Sequence, residues 1–222
     1  MRLGVLFSGG KDSAYAAYLA KKEGHEVCCL LSVQSKNPDS YMFHTPNIEK
    51  VKKQAERMGL PLLCVETKGE KEAELADLKM VIQEAMGKHG IKGIVTGAVL
   101  SVYQSLRVQR ICNDLGLWCF NPLWQKDQLE LLKELVQNDF LAVVCSVAAA
   151  PLDENWLGRR IDEQFIIDME KMQDTHKINP AGEGGEYESF VLNCPMFSKA
   201  LKITDRKDSG RGNCWRMEID VE

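Results

Sequence analysis

Six consecutive residues near the start of the chain carry the groups that bind a phosphate. They read SGGKDS and comprise Ser8, Gly9, Gly10, Lys11, Asp12 and Ser13. The two glycines allow backbone N–H groups to turn inward, the hydroxyls donate hydrogen bonds, and the lysine adds positive charge. Asp12 can cap a following helix or help to hold Mg²⁺. The spacing matches neither G-x-x-x-x-G-K-[ST] nor G-x-G-x-x-G, so it predicts an anion site of another kind. The alternative is a plain glycine turn with a Ser or Asp cap, which leaves the two serines and the lysine unexplained.

A second candidate site is the segment GEGGEYESFVLNCP, residues 182–195. Its glycines, among them Gly184 and Gly185, let the backbone fold tightly and aim Glu183 and Glu186 at one point. Carboxylates placed in this way can bind Mg²⁺, orient ammonium or hold a cationic substrate. The aromatic rings of Tyr187 and Phe190 can add a π-face for a quaternary ammonium group. The alternative is an acidic turn that precedes the strand SFVLN.

A third set of polar residues follows a predicted strand that ends near Gly97. Tyr103, Gln104, Arg107 and Arg110 lie on the next predicted helix, where positions 103, 107 and 110 can share a face. Ligands bind at the carboxyl edge of an open α/β sheet, and an arginine there can hold a phosphate in its planar fork. A polar, solvated helix face is the alternative.

The elements that must position these residues alternate between β-rich and amphipathic runs. Strands are predicted at 2–7, 26–33, 60–67, 92–99 and 117–120, and helices at 13–24, 47–59, 70–90 and 101–116. This rhythm predicts a parallel, doubly wound sheet with helices on both faces. It places the first and third candidate segments where a strand ends and a helix begins.

The rhythm changes near residue 125. Helices are predicted at 126–140 and 162–173, a strand at 141–149, an irregular segment at 151–161, and a strand, a glycine-containing loop and a strand in the tail. We therefore predict a nucleotide-binding domain over residues 1–125 and a smaller α+β substrate domain over residues 126–222.

Composition favours an ordinary globular protein. The 222 residues are 45% hydrophobic and 27% charged, with a net charge of −4. A negative net charge disfavours direct nucleic-acid binding. The eight cysteines form no C-x-x-C pair, which predicts core thiols and neither a disulfide framework nor a zinc site. No signal peptide and no run long enough to span a bilayer is predicted, so we expect a cytoplasmic protein without membrane partners, in which homo-oligomers are an option.

The motifs together resemble the diphthine–ammonia ligase family of N-type ATP pyrophosphatases, and archaeal members most. The resemblance rests on SGGKDS, on TGA followed by S-x-Y-Q-x-x-R, and on PLW, LDENWLGR and GEGGEYESFVL. It runs from the first strand to about residue 200. It implies a HUP-like PP-loop domain and a reaction in which diphthine on elongation factor 2, ammonium and ATP give diphthamide, AMP and pyrophosphate through an acyl-adenylate.

The resemblance also implies roles for individual residues. ATP is expected on residues 8–13, with Gly97 and Arg107 close by and Mg²⁺ near Asp12. The catalytic candidates are Lys11, Asp12, Glu183 and Glu186. The substrate-binding candidates are Tyr103, Gln104, Gly184, Gly185, Tyr187 and Glu188. Tyr41 and His44 are further candidates because they follow the second predicted strand on its ligand side; an ordinary loop histidine is the alternative for His44. Three positions depart from the family pattern, at Ser105, Ser189 and Asn193. The competing hypotheses are another N-type ATP pyrophosphatase that acts on tRNA or a small acid, and an ATP-binding module without catalysis.

Overall fold

Two sheets organise the chain. The structure, a computed structural model, describes residues 1–35, 50–67 and 73–222. Over these residues the order of elements is β1 Arg2–Leu6, α1 Lys11–Lys22, β2 Glu26–Ser35, α2 Val51–Met58, β3 Leu62–Thr67, α3 Ala73–His89, β4 Gly93–Val95, α4 Val102–Asp114, β5 Trp118–Phe120, α5 Gln128–Gln137, β6 Leu141–Val147, α6 Glu163–His176, β7 Tyr187–Asn193, β8 Ile203–Arg211 and β9 Cys214–Val221. One turn of 3₁₀ helix, Glu154–Trp156, lies within the segment predicted to be irregular.

The first sheet confirms the predicted doubly wound architecture. Its described strands run in the order β3-β2-β1-β4-β5, and every pair is parallel. Leu78 and Ile82 of α3 and Val108 of α4 pack on one face. Helices α1 and α2 pack on the other face, where Ala-rich α1 lets the helix approach the strands closely. Burial on both faces explains why β1 reads as a continuous apolar run and not as an alternating one.

The second sheet is antiparallel and smaller, as the α+β expectation required. Its described strands run in the order β7-β6-β9-β8. Side chains alternate along β7, so that Val191 faces the core shared with α1 while Phe190 faces a separate cluster with Met217 of β9. The shared core also contains Leu131 of α5 and Phe165 of α6. The two sheets are therefore joined through one apolar layer.

Several predicted boundaries differ from those in the structure. Helix α1 begins at Lys11, two residues before the predicted start, because Gly10 is the N-cap. Strand β4 ends at Val95, four residues before the predicted end, and the next residues form the loop that leads into α4. Strand β8 is exposed along its whole length.

The cysteines form no disulfide, and all eight lie in described residues. Four are buried as predicted, at Cys29, Cys112, Cys145 and Cys194. The expectation of core thiols is wrong for Cys64 and Cys214, which are exposed. Both lie on strands that have one solvent-facing side, so their apolar neighbours in the sequence do not cover them. Among the described residues, none of the helices is long and apolar enough to cross a bilayer.

Candidate active site

A cleft of about 620 Å³ lies at the carboxyl edge of the parallel sheet. It is bounded by the ends of β1, β2 and β4, by the start of α1, and by the segment that precedes β7. The predicted site residues among its lining are Ser8, Gly10, Lys11, Asp12, Ser13, Gly97, Gln104, Glu183, Gly184, Gly185, Tyr187 and Glu188. The structure thus brings the first and second candidate segments, 171 residues apart at Asp12 and Glu183, to one opening.

The segment of residues 8–13, called the phosphate loop below, is braced by its own hydroxyls. The Ser8 and Ser13 hydroxyl oxygens are 3.1 Å apart, and the Ser8 N–H donates to Ser13 Oγ at 3.2 Å. Ser13 Oγ in turn donates to the carbonyl of Gly10 at 3.1 Å. The two serines that a plain turn left unexplained therefore hold the loop at the start of α1, where backbone N–H groups and the helix dipole favour an anion.

Lys11 is a buried ammonium whose donors are all directed at oxygen. Its side chain is 4% exposed, and Nζ donates to both carboxylate oxygens of Asp12, at 3.0 and 2.8 Å, and to the carbonyl of Ala181 at 2.6 Å. The expectation that Asp12 caps α1 is wrong, because the N-cap is Gly10 and α1 has no side-chain cap. Asp12 instead neutralises Lys11 at the edge of the cleft.

The phosphate loop is also held by the second half of the chain, which the sequence analysis missed. Ser189 Oγ accepts a hydrogen bond from the Lys11 N–H at 3.1 Å, and the Val191 N–H donates to the Gly9 carbonyl at 3.0 Å. Gln54 of α2 donates from Nε2 to the carbonyls of Gly9 and Val191, at 2.9 and 2.8 Å. Ser189, noted only as a departure from the family pattern, therefore supplies the acceptor that α1 lacks locally.

Gly97 is required by a close backbone approach. A Cβ atom at this position would lie 2.7 Å from the backbone carbon of Asp12 and 2.8 Å from the Ser13 nitrogen. Such distances are shorter than van der Waals contact, so only glycine allows the loop after β4 to rest on the first turn of α1. This packing explains why a glycine stands at the end of β4.

Glu183 and Glu186 have different surroundings, although the sequence offered them as equivalent. Glu183 lines the cleft and accepts one hydrogen bond at Oε2, from the Leu100 N–H at 3.1 Å. The Glu186 carboxylate is buried and accepts from the Asn179 N–H, from Asn179 Nδ2 and from the Gly184 N–H, at 3.0, 2.5 and 2.8 Å. Glu186 therefore closes its own loop, residues 179–186, called the glutamate loop below, and is not among the residues that line the cleft.

The charge of Glu183 is sensitive to its neighbours. Burial raises the pKa of its carboxyl, and the negative charge of Asp12 raises it further. The ammonium of Lys11 and the Leu100 N–H act in the opposite direction and lower the pKa. A carboxyl group placed in this way holds a proton more tightly than an exposed glutamate does, which suits proton exchange with a bound substrate.

The aromatic candidate Tyr187 and the candidates on α4 differ in whether their side chains are available to a substrate. The Tyr187 ring is buried, faces Lys11 Nζ at 5.4 Å, and its hydroxyl donates to the Pro180 carbonyl at 2.8 Å. The ammonium of Lys11 thus takes the π-face that we expected to be free for a substrate cation. Gln104 lines the cleft, whereas the Arg107 guanidinium stacks 3.4 Å from the centre of the Tyr103 ring, and neither of these two residues is among the lining.

Two predicted site residues are not described by the structure, and several residues of the cleft were not predicted. Tyr41 and His44 lie outside the described residues, so their assignment stays a prediction. Residues of the cleft that the site prediction left out include Ala98, Ser101 and Ala181. Ser101 is the N-cap of α4, but serine is too common at helix starts to single out, and the two alanines offered no polar signal.

No cluster of three metal-ligating side chains occurs in the described residues. Mg²⁺ bound with a nucleotide takes most of its ligands from phosphate and water, and needs only one or two carboxylates from the protein. Asp12 and Glu183 both line the cleft and satisfy that requirement. The donor set therefore fits a nucleotide-bound magnesium ion better than a metal held by protein alone.

A parallel α/β sheet whose first strand enters α1 through SGGKDS, with its cleft at the carboxyl edge, defines a PP-loop protein. Sequence profiles of the diphthamide synthase N-terminal and C-terminal domains match residues 1–119 and 127–219. The chain belongs to the diphthine–ammonia ligase family, which confirms the resemblance and the expectation of an enzyme that forms a C–N bond.

Two relatives are similar to this chain over most of its length, and a third is similar over a short stretch. The diphthine–ammonia ligase of Homo sapiens is 34% identical over 227 residues, which cover 91% of this chain and 83% of that protein. The diphthine–ammonia ligase of Schizosaccharomyces pombe is 33% identical over 225 residues, which cover 93% of this chain but 37% of that longer protein. A stretch equal to 28% of the chain is 42% identical to the tRNA-specific 2-thiouridylase MnmA of Helicobacter pylori.

Proposed function

We propose that the protein amidates diphthine on elongation factor 2, with ammonium as the nitrogen source. ATP activates the diphthine carboxylate as an acyl-adenylate, and the products are diphthamide, AMP and pyrophosphate. The relatives named above supply the reaction class, and the cleft supplies groups suited to each step.

The observation that supports this proposal best is the composition of the cleft. A phosphate loop from the first half and a carboxylate from the second half, at Glu183, line the same opening. An adenylating amide ligase needs both, because the activated carbonyl must be formed and then meet the amine without release to water.

In the first step, a carboxylate oxygen of diphthine forms a bond to the α-phosphorus, and the bond between that phosphorus and pyrophosphate breaks. Lys11 and the N–H groups at the start of α1 stabilise the charge that develops on the leaving pyrophosphate. For this, the Lys11 ammonium would exchange part of its contact with Asp12 and Ala181 for phosphate oxygens. The adenine would lie near Ser32, in the second half of β2, and near Thr96, which follows β4; both residues line the cleft.

In the second step, ammonia attacks the carbonyl carbon, and the bond from carbon to the AMP oxygen breaks. Ammonium loses two protons in total, one to become a nucleophile and one as the amide forms. We assign the ammonium contact and the proton transfer to Glu183, because its carboxylate lines the cleft and has a raised pKa. Glu186 instead keeps the glutamate loop in shape.

Asp12, with Glu183 as the second candidate, would hold Mg²⁺, which neutralises phosphate charge when bound. Substrate roles for Gln104, Gly184, Gly185 and Glu188 are consistent with their place on the cleft. Roles for Tyr103, Arg107 and the residues at 41 and 44 stay predictions. The same holds for the cytoplasmic location, for a homo-oligomer and for the domain boundary at residue 125.

The test is mass spectrometry of diphthine-bearing elongation factor 2 incubated with this protein, ATP, Mg²⁺ and ammonium. We expect the mass change of an OH replaced by NH₂, dependent on ammonium, together with AMP and pyrophosphate. Lys11→Ala should lower the rate by about 10²- to 10³-fold, since it removes a charge that acts on the transition state. Lys21→Ala, on the exposed last turn of the same helix, is the matched control.

The other outcomes separate the competing hypotheses. Pyrophosphate release without amidation would keep the ATP pyrophosphatase class and reject the substrate, and tRNA would then be the next acceptor to test. Nucleotide binding without pyrophosphate release for any acceptor would favour a non-catalytic module.

A further inference from the structure

Gln54 is a fully buried polar side chain on the apolar face of α2. It shares that face with Val51 and Ala55, which pack into the core beside α1. A buried carboxamide must find hydrogen-bond partners or lose the free energy of its lost hydration. Its Nε2 meets both of its partners at good distances, 2.9 Å to the Gly9 carbonyl and 2.8 Å to the Val191 carbonyl. Gln54 therefore bridges the phosphate loop and β7.

The carboxamide is fitted closely to Gly9. The φ angle of Gly9 is +84°, in the region that favours glycine, and a Cβ atom there would lie 2.5 Å from Gln54 Oε1. Oε1 is buried and has no hydrogen-bond partner among the residues that the structure describes. The orientation of the amide is fixed, because only Nε2 can donate to the two carbonyls. The side chain thus contributes two donors at the cost of one unpaired acceptor.

The consequence for the loop follows from the planarity of the peptide group. In a trans peptide the carbonyl oxygen and the next N–H point in opposite directions. Gln54 and the Val191 N–H hold the Gly9 carbonyl on the side of α2 and β7. The Gly10 N–H is then directed toward Ser8 Oγ, 3.4 Å away, and both residues line the cleft.

We propose that Gln54 is a positioning residue, which fixes the Gly9–Gly10 peptide so that its N–H serves the anion site. This inference rests on the proposed function in one respect, that the phosphate loop binds the phosphates of ATP. Without the Gln54 donors, one hydrogen bond from Val191 holds the Gly9 carbonyl, and the glycine permits the peptide to rotate. Gln54 itself is not among the residues that line the cleft, so it would act through the Gly9–Gly10 peptide.

The test compares ATP binding and the KM for ATP in Gln54→Met, which keeps the length but has no donor, and in Gln54→Glu. In Gln54→Met, we expect the dissociation constant for ATP and the KM for ATP to rise at least tenfold at every pH. In Gln54→Glu, an ionised carboxylate would face two carbonyl oxygens, so binding should be weak at pH 8.5. It should recover several-fold at pH 6, where a carboxyl group with a raised pKa can be protonated and donate. The wild-type protein and Gln54→Met carry no ionisable group at this position and should show no such recovery.

Gln173→Glu adds the same charge on an exposed position of α6 and serves as the control. If Gln54→Met does not fold, Gln54→Asn replaces it, since its shorter amide can reach only one of the two carbonyls. ATP affinity and KM within twofold of the wild type in a folded variant, or the absence of pH recovery in Gln54→Glu, would overturn the proposal. Failure of the wild-type protein to bind ATP would instead reject the proposed function.

Discussion

The phosphate loop and the glutamate loop face the same cleft but are held in shape in different ways. The phosphate loop depends on distant parts of the chain, because Gln54, Ser189 and Val191 bond its backbone. In the glutamate loop, the carboxylate of Glu186 closes the loop on itself through Asn179 and Gly184. Gln128 of α5 adds two hydrogen bonds from outside, to Asn179 and Ala181. A sequence motif can therefore name an anion site while the groups that shape it lie elsewhere. Conversely, a conspicuous carboxylate can belong to the scaffold of its own loop.

The comparison implies that the phosphate loop should be the more sensitive to changes made at a distance. Gly97→Ala tests this most directly, because it forces a methyl group against the backbone of Asp12 and Ser13. The start of α1 must then move, so ATP affinity should fall at least tenfold. The free energy of unfolding should fall by about 1–3 kcal/mol, as for other overpacked sites. Nucleotide titration and thermal unfolding measure the two effects.

Gly87→Ala is the matched control, because a Cβ atom at this position of α3 meets no atom within 4 Å. It should leave ATP affinity unchanged and stabilise the helix by about 0.5–1 kcal/mol. Equal ATP affinity in Gly97→Ala and the wild type would show that the contact with α1 does not shape the site.

The two glutamates test the other side of the comparison. Glu183→Gln keeps an acceptor for the Leu100 N–H but loses the charge, so amidation should slow by about 10²-fold while the fold is retained. Glu186→Gln replaces one of two acceptor oxygens by a donor that faces N–H groups, and should cost about 2 kcal/mol of unfolding free energy.

Rates of amidation and chemical denaturation, measured on both variants, separate these roles. A stable Glu186→Gln enzyme that is as slow as Glu183→Gln would contradict the assignment of Glu186 to the scaffold. It would restore the catalytic role that the sequence suggested for both residues.

The sequence predicted most of the parallel sheet and the phosphate loop, since both follow local rules. Strand burial produces continuous apolar runs, and the loop requires glycines beside donors. It failed where contacts between distant segments decide the outcome. Strand β4 ends early because Gly97 turns to pack on α1, and the apolar residues after it do not reveal that. Gln54 belongs to no motif, and its signal was only a polar residue on the apolar face of α2.

The sequence also could not show which of the two carboxylates, Glu183 or Glu186, lines the cleft. Two glycines separate these residues, and Gly185 adopts a φ of +83°, so the backbone could have aimed either carboxylate at the cleft. The hydrogen-bond donors around each carboxylate determine where it lies, since Asn179 supplies two of the three donors that hold Glu186. A glycine-rich segment therefore predicts that a carboxylate is aimed, but not where.

The smallest expected effect concerns Glu188, which follows the glutamate loop on β7. Burial raises the pKa of its carboxyl to about 8, and Arg216 offsets this in part. In the unfolded chain the pKa of a glutamate is about 4.3, so the folded protein binds this proton more tightly. The contribution to stability is full below the unfolded pKa and is lost as pH rises through the folded pKa.

Glu188→Gln mimics the neutral carboxyl group and removes this titration. The variant and the wild type should have similar unfolding free energies at pH 4. At pH 9 the variant should be the more stable by about 1 kcal/mol, because one pKa unit corresponds to about 1.4 kcal/mol and a partly exposed carboxyl retains some hydration. Denaturation curves at the two pH values measure the difference. A gap that does not change with pH would mean that Glu188 is ionised in the folded protein, as an ordinary surface glutamate is. It would then offer a substrate cation a full charge at neutral pH, whereas the neutral form offers only a hydrogen bond.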